Sequence, residues 1–268
     1  MSWLDRQSFL GEDSEEILRG ATVVIAGLGG GGSHGAQQLA HVGVGNSVIP
    51  DDDSIDDSNL NRLVGGRFED VAVKTPKVEI ARRLILGINP AANVYGRKAL
   101  WQSEIERIKS ADVVIGGLDS VRAKHELEGF CRRFLIPYID MGMDVHERDD
   151  EYLIAGQVVL SMPGRPCLQC LGVVRAEALK EEGRRYGAAG GKPQVVWPNG
   201  VLASSAVGLV IQLLTPWHSK LLDSIYLEYD GNRYTMIHRL GYERASTRPC
   251  PHYPANETGG PSFDVRKL

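Results

Sequence analysis

The sequence predicts an α/β fold: a doubly wound, Rossmann-like nucleotide-binding sheet continued by antiparallel strands. Three observations predict the nucleotide-binding part. An apolar, β-branched run from Thr22 to Ala26 reads as a buried parallel strand. Gly27, Gly29 and Gly32 follow in G-x-G-x-x-G spacing and lead into an amphipathic helix marked by Ala36, Leu39 and Ala40. A second short strand, Ser47 to Pro50, ends in Asp51, about twenty residues beyond the glycines, where a ribose-binding acid is expected. The glycines let the backbone turn tightly and bring helix N-terminal amides up to a phosphate. A flexible connector is the other reading of Gly29 to Gly32. Its place between a strand and a helix argues against that.

Length and composition set the bounds. A chain of 268 residues can bury one sizeable core, and no linker-like stretch divides it, so one domain is expected over 1–268. Within it we expect a helical arm (1–20), a nucleotide-binding half (21–145), a strand-rich half with the crossover segment (146–250) and a tail (251–268). A net charge of −4 gives no basic footprint for nucleic acid. No apolar run reaches the length of a membrane span, and Met1 to Arg6 lacks the apolar core of a signal peptide. Four cysteines, one isolated in a helical stretch, argue against a secreted disulfide scaffold. A cytoplasmic location is expected.

The residues after Asp51 narrow the class. Instead of a third strand the chain reads DDDSIDDSNLNR, an acidic run leading to Asn59 and Arg62. A cation arriving so soon after the ribose acid suits a triphosphate better than a dinucleotide. The ordered series Gly27 to Ser33, Asp51 to Asp53 and Ser58 to Arg62 resembles the G-x-G-G-x-G-S, D-x-D and S-N-L-x-R pattern of the ThiF/MoeB/HesA family, adenylating enzymes related to the ubiquitin-activating enzymes. The resemblance covers about Arg6 to Cys250. It implies that Gly27, Gly29, Gly30 and Gly32 cradle phosphate, that Asp51 holds the ribose hydroxyls, and that Asn59 and Arg62 meet the nucleotide. Asp53 either assists with ribose or is a solvated acid.

The remaining elements follow in order. Residues 1–20 read as a short helical arm, with Ser14 as a cap before Ile17 and Leu18. Arg6 matches the arginine that homodimeric family members place in the partner's nucleotide site; a solvated surface arginine is the other reading. Val71 to Pro90 carries a proline at a helix start and an apolar face of Val78, Ile80, Ala81, Leu84 and Ile85, stopping at Gly87. By the resemblance Lys77, rather than the neighbouring Lys74, contacts the phosphates. Ala92 to Tyr95 reads as the third strand, Ser103 to Lys109 as a helix, and Asp112 to Ile115 as the fourth strand. That strand runs into Asp119, which matches the family's magnesium- and nucleotide-binding aspartate, although Leu118 and Ser120 depart from its Thr-Asp-Asn. Asp119 or Ser120 also suits the N-cap of a helix from Val121 to Phe134. Ile136 to Asp140 reads as the fifth strand, and Glu151 to Met162 and Ser224 to His238 as antiparallel strands. Gly200 to Leu214 is apolar all round and reads as a buried helix, too short at 15 residues to span a membrane.

Pro163 to Cys170 matches the family's P-G-x-x-C-x-x-C, half of a structural zinc site. The tail offers Cys250 and His252 in place of a second C-x-x-C. Three thiolates and an imidazole make a tetrahedral zinc set, although the i, i+2 spacing of the last two is unusual. An unmetallated site and a redox pair are the alternatives. Cys131 reads as a packed helix residue.

The resemblance implies ATP-dependent adenylation of a C-terminal carboxylate, with ATP and Mg2+ bound in the nucleotide site and Zn2+ in the knuckle. Its catalytic groups would be Arg62, Lys77, Asp119 and Arg6 from a second subunit. The implied partner is a ubiquitin-like or sulfur-carrier protein ending in Gly-Gly, with a separate conjugating or sulfur-donor protein to follow. Short peptides and modified tRNA nucleosides are the alternative substrates, and a non-catalytic scaffold the alternative role.

Overall fold

The computed structural model describes residues 2–184, 193–219, 224–239, 242 and 250–253. Residues 185–192 of the crossover segment and the tail from 254 on lie outside the described residues. The frame follows from the β-branched runs. β1 (Thr22–Ala26) pairs in parallel with β2 (Asn46–Pro50) on one side and β4 (Val113–Gly116) on the other. β3 (Asn93–Arg97) lies beyond β2, and β5 (Tyr138–Arg148) beyond β4, both parallel to their neighbours. β6 (Glu151–Ser161), β7 (Ile225–Asp230) and β8 (Thr235–His238) continue the sheet with antiparallel pairing, giving the order β3-β2-β1-β4-β5-β6-β7-β8. Between β1 and β4 the winding direction reverses. In such sheets that switch point, at the carboxyl ends of the strands, is where ligands bind.

Side chains of β1 alternate between two cores. Val23 and Ile25 join the one covered by α2 (Gly30–His41), α4 (Lys77–Ile88) and α8 (Val196–Leu214). Val24 and Ala26 join the one containing Leu127, Phe130 and Cys131 of α6 (Val121–Arg133) and Ile108 of α5 (Ile105–Ile108). Burial on both faces is why these strands read as continuous apolar runs rather than alternating ones. The shorter helices are α1 (Ser14–Gly20), α3 (Phe68–Ala72) and α7 (Ala176–Arg184).

Several boundaries differ from the sequence reading. Ser14 is the first residue of α1 rather than its cap; Asp13 precedes it and makes no side-chain cap bond. The expected helix over 103–109 divides into a 3-10 turn, Trp101–Glu104, and α5. β5 runs on from Asp140 to Arg148, so the expected junction between halves at 145/146 falls inside a strand. α8 starts at Val196, not Gly200. Pro198 sits in its first turn, where a missing N–H leaves no helical bond unmade. At 19 residues α8 is long and apolar enough to cross a membrane by composition. It packs instead against α2, β5 and β6.

Candidate active site and metal centre

The glycine loop is shaped by close approaches. Gly27 takes a positive φ of 87°, and a Cβ on Gly32 would lie 1.9 Å from the Gly27 carbonyl oxygen. α2 therefore starts against β1, with its first-turn amides at the switch point. At the end of β2 the Asp51 carboxylate accepts from the Leu28 amide at 2.5 Å and the Asp53 amide at 2.9 Å, which ties it to the loop. Burial pushes its carboxyl above the ordinary range, opposed by Lys77 and these two amides.

Lys77 opens α4 directly after Pro76, and its amide donates to the Asp53 carbonyl. Its Nζ lies 2.6 Å from Asp53 Oδ2; the lysine is buried and the aspartate side chain 64% exposed. Lys74, by contrast, is exposed in a left-handed turn with φ 54° and lies outside both clefts of the site. Asn59 Oδ1 accepts from the Asp56 amide at 3.4 Å and shapes the turn that carries Arg62. The half-buried Arg62 guanidinium donates to the Ser58 carbonyl at 2.5 Å and to Asn61 Oδ1 at 3.0 Å.

Ser120, not Asp119, caps α6: its Oγ accepts from the Ala123 amide at 3.0 Å. The exposed Asp119 carboxylate accepts a 3.4 Å bond from Gln194 Nε2.

These groups line two adjoining clefts that share Gly29, Lys77, Gly117 and Asp119. One carries the Asp51–Asp53 acids together with Leu100, Trp101 and Leu118, a polar and an apolar wall suited to a nucleoside. The other carries Asn59 and Arg62 opposite Met141, Met143 and Leu202, a cation beside an apolar channel. Cationic Lys77 and anionic Asp119 stand where the clefts meet. Arg6 lies elsewhere, exposed on the 3-10 turn Asp5–Leu10, and lines neither cleft.

Two cleft residues are not legible in the sequence. Gln194 enters from just before α8 and Asn199 from its first residues, far away along the chain. Asn199 Nδ2 donates to the Val195 carbonyl at 2.8 Å, and a Cβ on Gly30 would lie 2.5 Å from that nitrogen. The contact accounts for Gly30: the G-x-G-x-x-G spacing does not itself require glycine there, but the packing of Asn199 does.

Cys167, Cys170, Cys250 and His252 converge, with one possible ligand atom from each within 4.8 Å of the others. Cys167 and Cys170 Sγ are 3.6 Å apart, and Cys170 and Cys250 Sγ 3.7 Å. His252 Nδ1 lies 3.3 and 3.4 Å from the first two sulfurs. A tetrahedron with metal–sulfur bonds of about 2.3 Å has sulfur–sulfur edges of about 3.8 Å. The donor set therefore fits a tetrahedral metal, with the imidazole as fourth ligand despite its unusual spacing. A hydrogen bond from the Cys167 thiol, helped by the His252 and Tyr253 amides, lowers the Cys250 thiol and correspondingly raises that of Cys167.

Behind the knuckle lies a buried polar network. Glu128 Oε1 accepts from Ser161 Oγ at 2.5 Å and from the Leu168 amide at 2.8 Å. Arg132 donates to Ser161 Oγ and to the carbonyls of Arg165 and Pro166. Cys131, between them on α6, is fully buried, and burial pushes its thiol well above the usual range.

The model of the ThiF family matches residues 4–251. SAMP-activating enzyme E1 of Haloferax volcanii is 34% identical over 164 residues, covering 60% of this chain and 57% of that protein. Molybdopterin-synthase adenylyltransferase of Escherichia coli is 32% identical over 163 residues, covering 59% of this chain and 61% of that one. The matched region thus spans little more than half of either relative. Among solved structures, E. coli MccB, the microcin C7 biosynthetic enzyme, in complex with N-formylated MccA, superposes with a TM-score of 0.73. It is 21% identical, covering 93% of this chain and 73% of that one, and shows the fold.

Proposed function

The chain belongs to the ThiF family, and from that premise we propose that it is an adenylyltransferase. Its substrates would be ATP and the C-terminal carboxylate of a ubiquitin-like or sulfur-carrier protein ending in Gly-Gly. The reading rests on one observation above all: Lys77 and Asp119 stand at the junction of an acid-bearing cleft and a cleft holding Arg62. A carboxylate oxygen of the acyl substrate attacks the α-phosphorus of ATP. The bond to the bridging oxygen breaks and its electron pair leaves with pyrophosphate, giving acyl-AMP. Two anions must approach each other, so cations that neutralise the developing charge lower the barrier. Asp51 holds the ribose hydroxyls, the α2 amides receive phosphate oxygens, and Lys77 and Arg62 meet the charge. Asp119 would hold magnesium, which supplies further neutralisation when bound. The activity is tested by exchange of labelled pyrophosphate into ATP, expected only when the carboxylate partner is present. Exchange equal with and without any carboxylate partner would defeat the reading.

The names of these relatives, an E1 for SAMP and an adenylyltransferase for molybdopterin synthase, support a protein substrate over a small molecule. A homodimer is part of the proposal, with Arg6 reaching the partner's cleft, as is a cytoplasmic location. We assign zinc to the Cys/His cluster. Protein purified without chelators is expected to contain about one zinc per chain; metal analysis finding none would reject that assignment.

The enzyme is expected to release or hand on the adenylate without a thioester on itself. Leu171 to Gly200 contains no cysteine, and three of the four thiols in the chain belong to the metal cluster. The fourth, Cys131, is buried with a raised pKa and is a poor nucleophile. Enzyme, ATP-magnesium and partner run on a gel with and without reductant decide this. A reductant-sensitive adduct that vanishes in Cys131→Ser would make Cys131 catalytic.

A further inference from the structure

We propose that Pro193 to Val195 form a latch across the nucleotide site, in which Gln194 occupies Asp119 in the free protein and is driven off by magnesium nucleotide. The strap is fixed on both walls. On one, Asn61 Nδ2, next to Arg62, donates to the Gln194 carbonyl at 2.8 Å. On the other, Gln194 Nε2 donates to Asp119 Oδ1 at 3.4 Å. One residue thus joins the Arg62 turn to the carboxyl end of β4, at the place where the two clefts meet.

Further contacts keep the strap there. Val195 is extended, with φ −141° and ψ 162°, and its carbonyl accepts from Asn199 Nδ2 at 2.8 Å. Asn199 packs on Gly30, where a Cβ would lie 2.5 Å from that nitrogen, so the start of α8 and the strap before it are seated on the glycine loop. Upstream along the crossover segment, Glu182 of α7 accepts from the Arg122 amide at 2.9 Å, three residues beyond Asp119. Two separate parts of the crossover segment therefore hold the turn that carries Asp119.

The Gln194–Asp119 bond is the weak member of this set: it is long and Asp119 is exposed, whereas the Asn61 bond is short. An ionised carboxylate only accepts, so an amide N–H and a cation compete for the same lone pairs. The positive end of the N–H dipole also repels a cation held beside it. Magnesium binds carboxylate oxygen at about 2.1 Å with a full double charge, and it wins that contest. Metal-free ATP brings no such competitor. The way between the clefts is therefore bridged in the free protein and opens with metal nucleotide. The placing of magnesium on Asp119 rests on the adenylation reading; the strap itself does not.

The test compares the parent protein with Gln194→Ala. ATP binding is measured by calorimetry in excess magnesium and in magnesium-free buffer. Without nucleotide, acrylamide quenching is measured for Trp197, which is half exposed in the first turn of α8, as the difference from the same protein carrying Trp197→Phe. With magnesium, Gln194→Ala is expected to bind ATP about threefold to tenfold more tightly, the reach of one long hydrogen bond to a charged group. Without magnesium the two proteins should bind ATP equally. Trp197 should be quenched more readily in Gln194→Ala, because the strap before it has lost one wall. Equal or weaker binding with magnesium would overturn the proposal, weaker binding making Gln194 a ligand of the metal rather than its competitor. So would the same gain in both buffers, or unchanged quenching of Trp197. Absence of ATP binding in the parent and in Gln194→Ala would defeat the adenylation reading, while the quenching would still decide whether Gln194 holds the strap.

Discussion

Replacing Asp119 or Arg62 by alanine is expected to lower carboxylate-dependent pyrophosphate exchange by about 10²–10³-fold. The melting temperature should stay close to that of the parent. The two halves of this expectation have separate causes. In the cleft, unit charges about 4 Å apart at an effective dielectric constant near 20 interact by about 4 kcal/mol, several times a neutral hydrogen bond. Removing a charge that meets the phosphates or their metal therefore outweighs the loss of one local contact. In the free protein each side chain supports little. Among the described residues, exposed Asp119 accepts one long bond from Gln194, and Arg62 bonds only within its own turn, to Ser58 and Asn61. Lys77→Ala would be a poorer probe. Lys77 is buried and paired with Asp53, so its loss mixes function with stability. Wild-type exchange in both Asp119→Ala and Arg62→Ala would show that these groups do not meet the phosphates.

The parts legible in the sequence are those whose signal is local. β1, the glycine loop and α2 follow from one apolar run and one glycine spacing, and α6 from its helical periodicity. Where the sequence falls short, the cause is identifiable. Met141, Met143 and Val145 alternate as a half-buried strand should, but Gly142 and the acids around it mask the continuation of β5. Trp197 and Pro198 look like loop, although proline fits a first helical turn. The choice between Asp119 and Ser120 as cap turns on side-chain direction, and that between Lys74 and Lys77 on the turn before α4. Neither is encoded in residue type. Gln194 and Asn199 are out of reach because only the fold brings α8 against the glycine loop. Glu128 and Arg132 are the clearest case: on sequence they are an ordinary i, i+4 pair on a helix.

Their burial makes the second large expectation one of stability: Arg132→Met should cost about 3–5 kcal/mol, the range for removing one partner from a buried ion pair. Distance alone would rank the pairs of this protein otherwise. Lys109 and Glu106 approach to 2.5 Å, whereas Arg132 Nε and Glu128 Oε1 are 3.4 Å apart. The first pair is solvated, with the glutamate side chain 77% exposed, and such pairs often contribute nothing measurable. The second is almost wholly buried, and burial already pushes the Glu128 carboxyl up against the pull of Arg132. Arg132→Met would leave that carboxylate uncompensated and the carbonyls of Arg165 and Pro166 without their donor. At roughly 2–4 °C per kcal/mol for a domain of this order of size, the melting temperature should fall by about 10 °C, against little change for Lys109→Met. Because those carbonyls lie just before Cys167, zinc bound at the proposed Cys/His site should also pass to a chromogenic chelator faster. Adding Glu128→Leu should restore part of the stability, since the stranded charge is then gone. Equal melting temperatures for Arg132→Met and Lys109→Met would mean that the network does not hold the knuckle to α6.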